Sequence, residues 1–248
     1  MSVKVINKHL NASDVEVFGK HIPNDRRNAG YNIGDLLNMP HLANVWFADP
    51  HNNLQELQRM YVIGENYKDS IMHYYIQRRP SDELIPCIPR IVGATKLYTD
   101  RVFEEHKELF QMVQSDDTLC VHVRSGDNIV DSFYICHILT LAKKFKNIFL
   151  FSGVHLDEYF KTNEEKKENF VNSINSILEH NHNIHIVLCE PDMHVSLMSK
   201  AKHLLLHKGG FSTIGSIVCE GNIYSTMLFN TIFQENWIKY VNKKIIML

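Results

Sequence analysis

Histidine, arginine and aspartate are gathered in the hexapeptide His122-Val123-Arg124-Ser125-Gly126-Asp127, directly after an apolar run that begins at Thr118. The run has the composition of a buried strand, so it delivers a fixed cation to the carboxyl end of that strand. A guanidinium placed there can make two charge-assisted hydrogen bonds to phosphate oxygens, and open α/β sheets bind their ligands at that end. Gly126 lets the backbone turn close to a ligand, and Asp127 can orient the arginine or a hydroxyl. His122 and Arg124 are two residues apart on an extended chain, so their side chains point the same way, with His122 suited to holding the loop. An Arg-Asp pair that merely closes a loop fits the same six residues, and the features that follow weigh against it.

A second phosphate feature lies downstream. Gly209-Gly210 precedes Phe211-Ser212-Thr213 at a predicted helix start, where free amides and the helix dipole favour an anion. Ser152 ends another apolar run and is expected to line the same crevice. His194, near a helix start, can meet a nucleobase or cap the helix, and Asp192 lies two residues upstream. The group His180, His182 and His185 falls in a polar loop without cysteines and is read as exposed histidines, not a metal site. Ser115-Asp116-Asp117 lacks the Asp-x-Asp spacing of a metal-dependent loop, and no such triplet occurs elsewhere.

The elements that must position these groups follow from periodicity. After the first motif, helical patterns over 131–144, 163–179, 193–200 and 212–219 alternate with apolar strands over 147–152, 183–189 and 203–207. Continuously apolar strands alternating with helices imply a parallel sheet covered on both faces. The second half therefore reads as a Rossmann-like nucleotide domain. The first half shows short strand patterns at 3–6, 44–47 and 59–63 and a loop opening a helix at 28–37. Pro80, Pro86 and Pro89 form its proline-dense break, and residues 102–113 suit a helix that leads into the motif strand.

The order of motifs resembles the GT-B-type fucosyltransferases that act on sugar hydroxyls, the α1,2 group most closely. That family carries a His-x-Arg-x-Gly-Asp loop, a strand ending in Phe-Ser-Asp, an Asp-x-x-x-Met-Ser segment and a strand leading to Ser-Ser/Thr-Phe-Ser. The matching stretches here are His122 to Asp127, Phe149 to Ser152, His194 to Ser199 and Gly209 to Ser212, over roughly residues 115–225. The resemblance implies an α/β fold of two Rossmann-like domains with parallel sheets, the N-terminal one reduced. It also implies an inverting, metal-independent glycosyltransferase that moves a sugar, fucose favoured, from GDP-fucose to an acceptor glycan, with no cofactor beyond the nucleotide-sugar substrate. His122, Arg124, Gly126, Ser152, Asp192, His194, Gly210, Phe211, Ser212 and Thr213 would then hold the donor. Arg124 would meet the departing diphosphate, Asp127 would assist by hydrogen bonding, and Asp35 is the preferred general base from the acceptor side.

Two departures keep the donor open. The family's guanine-reading aspartate is replaced by His194, and its small hydroxyl pair by Gly209-Gly210. A carboxylate accepts two hydrogen bonds from the guanine edge and a neutral imidazole only one, so another base or sugar fits as well. Asn32-Ile33-Gly34-Asp35 also resembles the Asn-x-Gly-Asp entry of polysaccharide pyruvyltransferases, whose later histidine-rich signature has no match here. That enzyme, or a catalytically degenerate nucleotide- or glycan-binding subunit, is the alternative.

At 248 residues the chain can hold two small domains. The expected division is 1–113 on the acceptor side, 114–230 for the nucleotide sugar, and a C-terminal helix and tail over 231–248 packing back on the first domain. A net charge of -2 gives no support for nucleic-acid binding. No signal peptide or membrane-length apolar stretch is visible, so a cytoplasmic protein is expected. The five cysteines lack CxxC spacing and read as reduced core residues. The charge run from Glu164 to Glu168 reads as the solvated face of a helix, and Trp46, Phe47, Tyr74 and Tyr75 as core.

Overall fold

The computed structural model describes residues 3–15, 17–18, 88–125, 130–155, 163–179, 183–189, 191–207, 210–226 and 245–248. In chain order the elements are β1 (Lys4–Ile6), a 3-10 turn (Ala12–Asp14), β2 (Val17–Phe18), α1 (Ile88–Val102), α2 (Lys107–Val113) and β3 (Thr118–His122). There follow α3 (Ser132–Ala142), β4 (Asn147–Phe151), β5 (Val154–His155), α4 (Asn163–Leu178), β6 (Ile184–Leu188) and α5 (Pro191–Lys200). The chain continues with β7 (His203–Leu206), α6 (Gly210–Val218), β8 (Asn222–Ser225) and β9 (Ile245–Met247).

Seven strands form one sheet in the order β1-β6-β4-β3-β7-β8-β9. β1 runs antiparallel to β6, and every other pairing is parallel. Counted along the chain, the six parallel strands therefore lie in the order 3-2-1-4-5-6, and the direction of winding reverses between β3 and β7. α3, which follows β3, and α6, which follows β7, pack on opposite faces of the sheet, the arrangement in which open α/β sheets bind ligands at the carboxyl ends of the strands. β2 and β5 pair separately as a short parallel ribbon.

Both faces of this sheet are covered, and the pleat sorts the side chains. Cys120, Phe149, Phe151, Val187, Leu204 and Leu206 join one apolar cluster with residues of α1, α2, α5 and α6. Leu119, Val121, Ile148, Leu150, Ile186 and Leu205 join the other, with residues of α3 and α4. A strand buried on both sides must be apolar at every position, which is why the runs at 118–123, 147–151 and 203–206 are legible as parallel strands. Asp131 caps α3, its side chain accepting from the Tyr134 amide at 2.8 Å.

Several elements differ from expectation. The helix expected over 102–113 is two helices, α1 ending at Val102 and α2 beginning at Lys107. α1 starts at Ile88 despite Pro89, because an N–H missing from a first turn has no intrahelical partner to lose. Ala94, Tyr98, Phe110 and Val113 of these helices pack on the cluster that includes Cys120 and Phe149, and Thr99 meets Ser196 of α5 at 2.7 Å between hydroxyl oxygens. β1 likewise joins the main sheet, and residues 245–247 form its opposite edge. In the run from Glu164 to Glu168, Glu164, Glu165 and Glu168 are exposed but Lys166 is only 2% exposed, so that face is not wholly solvated. Cys120, Cys189 and Cys219 are buried free thiols, whereas Cys136 is exposed. Among the described residues no helix is long and apolar enough to cross a membrane. The segments at 28–37, 44–47 and 59–63, with Tyr74 and Tyr75, lie outside the described residues, as does the stretch 227–244.

Two glycines test the packing differently. A Cβ on Gly221 would lie 2.3 Å from the Ala201 carbonyl oxygen and 2.4 Å from that of Lys202, whereas one on Gly215 would meet the Met198 sulfur at 3.0 Å. Backbone cannot yield as a thioether can. Gly221→Ala is expected to lower Tm by roughly 5 °C or more and Gly215→Ala by less, as measured by calorimetry.

Candidate functional site at the strand crossover

The carboxyl end of β3 meets four other elements through polar contacts, all at the carboxyl edge of the sheet. The last ladder bond on one flank runs from the Val123 amide to the Phe151 carbonyl at 2.9 Å. One residue later, the Arg124 amide donates to His207 Nδ1 at 3.0 Å, just beyond the end of β7. The His207 amide donates in turn to Ser212 Oγ at 3.0 Å, and Ser212 Oγ lies 2.5 Å from His122 Nδ1. Tyr134 completes the ring from the other face: its hydroxyl donates to the His122 carbonyl at 2.7 Å, and its ring stacks on His207 at 3.9 Å between centroids.

The Ser212 and His122 pair has the appearance of a nucleophile and base. Ser212 is 0% exposed, so no substrate reaches it, and the pair is a strut between β3 and α6. Ser152 acts similarly, its hydroxyl donating to the Val123 carbonyl and lying 3.0 Å from Ser125 Oγ. Arg124 itself is only partly buried, in contrast to its neighbours Val123 and Ser125. Gly210 is the first residue of α6, so the opening amides of that helix stand at the end of the β7 crossover, beside the β3 terminus that carries Arg124.

The surroundings hold the histidines neutral. Burial pushes His122 well below the usual histidine range, and the imidazoles of His207 and His194 and the charge of Arg124 add to the effect. Burial lowers His194 to about 4, opposed in part by its hydrogen bond to the Val187 carbonyl at 2.8 Å. A neutral His194 donating through Nε2 matches that geometry. The Tyr134 hydroxyl is pushed well up, first by burial and then by the nearby Asp131 carboxylate.

Of the residues singled out from sequence, the structure brings His122, Arg124, Ser152, Ser212 and the start of α6 to one edge of the sheet. Asp192 is buried in the first turn of α5. His194, expected at a nucleobase or a helix cap, instead packs inward at 4% exposure against β6 and Phe151. His185 is half-buried and stacks on Phe149 at 5.2 Å. Asp35, Gly126, Asp127, Gly209, His180 and His182 lie outside the described residues, and Phe211 and Thr213 are placed only as backbone of α6. His207, Tyr134 and Ser125 are the participants that sequence reasoning passed over. Their signal was a histidine at the end of each of two apolar strands, His122 after Val121 and His207 after Leu206. Among the described residues no group of three or more His, Cys, Asp or Glu side chains is placed to hold a metal ion.

Compared with protein-family models, with curated proteins and with solved structures, the chain matches none.

Histidines kept neutral by burial link stability to acidity. Each has a folded pKa below its unfolded value of about 6.5, so its contribution is fully present above that value and is lost as pH falls toward the folded pKa. For His194 alone, the interval from 6.5 to about 4 corresponds to roughly 3 kcal/mol. Urea midpoints are expected to fall steeply between pH 7 and pH 4.5, and less steeply in His194→Gln, which keeps a donor for the Val187 carbonyl without titrating.

Proposed function

We propose that the chain is a glycosyltransferase that moves a sugar, fucose favoured, from a nucleoside diphosphate donor to a glycan hydroxyl, with inversion and within a two-lobed GT-B-like build. The observation that carries this reading is the placement of Arg124 and the start of α6 at the carboxyl edge where the strand order reverses. Breaking the bond between sugar and diphosphate develops negative charge on the leaving oxygen. A guanidinium and oriented helix amides at a crevice meet that charge without reorganising.

The roles follow from that chemistry. Arg124 binds the diphosphate and stabilises its departure, and the α6 amides, opened by Gly209-Gly210, share the same phosphates. Asp127 orients Arg124 or a substrate hydroxyl, and Asp35 takes the proton from the acceptor. His194 packs inward against the Val187 carbonyl and Asp192 is buried beside it in the first turn of α5, so the base of the donor is left open. The reading requires no metal, since Arg124 supplies the positive charge.

Thermal unfolding with GDP, UDP, ADP and CMP, on the native chain and on Arg124→Ala, tests the reading. One of the diphosphates at about a hundred times its Kd is expected to raise Tm by roughly 5 °C or more. Arg124→Ala should abolish that rise and lower kcat/KM with the matching nucleotide sugar by about a hundredfold or more. Absence of a shift with every nucleotide would count against the donor site, and a shift without turnover of any nucleotide sugar would leave a binding subunit in place of an enzyme.

A further inference from the structure

We propose that His207 is the positioning residue of the arginine site, holding the Arg124 backbone through Nδ1 and releasing it when the ring takes up a proton. The inference rests on Arg124 being the phosphate-binding cation, and it adds a control that the sequence motif does not contain.

The geometry starts from a problem of unpaired backbone. β3 and β7 are hydrogen-bonded neighbours, with Cys120 opposite Leu204 and Val121 opposite Leu205. The pairing between them ends at Val121 and Leu205, and the helices that follow the two strands pack on opposite faces of the sheet. The amide of Arg124 falls beyond the last paired residues. A side-chain acceptor, His207 Nδ1 at 3.0 Å, takes the place that a strand carbonyl would have filled. The residue proposed to bind phosphate is thereby tied by this hydrogen bond to the segment that follows β7.

His207 is itself immobilised from three directions. Its ring lies on Tyr134 at an interplanar angle of 14°, its amide is bound to Ser212 Oγ, and its side chain is 2% exposed. Tyr134 is fixed in turn by the Asp131 cap on its amide and by its own bond to the His122 carbonyl. An acceptor held this firmly sets the position of whatever donates to it. Acceptance at Nδ1 also fixes the tautomer, with the ring proton on Nε2.

Protonation converts Nδ1 to a donor that faces the Arg124 N–H, and the bond is lost. Among the described residues, the ionisable groups at the ring are Tyr134 of α3 with Asp131 behind it, and His122 and Arg124 at the end of β3, with His194 of α5 beyond His122. The Arg124 charge opposes a further positive charge on the ring, and the Asp131 carboxylate behind Tyr134 favours it. The site is therefore formed with the ring neutral and loosens as pH falls.

Isothermal titration with GDP, UDP and ADP at pH 7.5 and 5.5 tests this on the native chain, His207→Leu, His207→Asn and Arg124→Ala. His207→Leu is expected to weaken diphosphate binding roughly tenfold at pH 7.5, the scale of one lost hydrogen bond that orders a ligand group. His207→Asn offers an amide oxygen near the Nδ1 position and does not titrate. It should bind within about threefold of the native chain at pH 7.5 and lose less affinity than the native chain at pH 5.5, the titration of the nucleotide being common to both. A merely structural histidine would show neither the rescue nor the altered pH profile. Native affinity in folded His207→Leu, or native pH dependence in His207→Asn, overturns the inference while the Arg124 site stands. If the leucine variant fails to fold, the asparagine profile alone decides. Equal binding by the native chain and Arg124→Ala, or no binding by either, removes the phosphate-site reading and this inference with it.

Discussion

A parallel strand with helices on both faces can carry polar side chains only near its ends, because every interior position is taken into a dry core. That constraint governs this protein. Thr118, Leu119, Cys120 and Val121 are 0% exposed, so the first positions on β3 and β7 where hydrogen-bonding side chains can gather are His122 and His207. Where the strands part, the backbone needs partners that the ladder no longer provides, and burying those groups without partners would cost about 1–3 kcal/mol each. The histidines, Ser212, Ser152 and Tyr134 supply them. The chemistry of the crevice grows out of the need to finish the sheet.

Neutrality of the imidazoles is part of the same arrangement. Protonated histidines would add charge at this edge, but here they sit beneath the surface and serve as oriented acceptors and donors. The positive charge is left to Arg124, which is partly exposed. A division of this kind keeps the cation where a ligand can reach it and the geometry where solvent cannot disturb it.

The central sheet was legible in the residues for a plain reason. Strands such as Ile148 to Phe151 and Leu204 to Leu206 are buried on both faces, and nothing else in a globular chain produces short apolar runs separated by helix-length polar segments. β8, with Asn222 and Tyr224 among its four residues, has no such pattern and depends on β7 for its existence. α1 was obscured by Pro89, whose usual meaning as a breaker reverses in a first helical turn. His122 and Arg124 were found because they share a compact motif. His207 was not, because its partners come from residues 124, 134 and 212, and no local pattern records a contact across the sheet. The inward orientation of His194 was hidden for the opposite reason: position near a helix start says nothing about which side of the helix faces the sheet.

One rim of the seven-stranded sheet is recruited from afar and the other from close by. Lys4 pairs with Leu188 on one rim, and Ile245 with Ile223 on the other. The inner strands are joined by consecutive crossovers and can assemble stepwise, whereas β1 has to close a loop spanning most of the chain before it gains any contact. Amide protons on Lys4–Ile6 should therefore trade with deuterium through a partial opening that spares β3 and β4. The outermost ribbon can detach and return while the innermost junction, and any anion resting on it, stays in place.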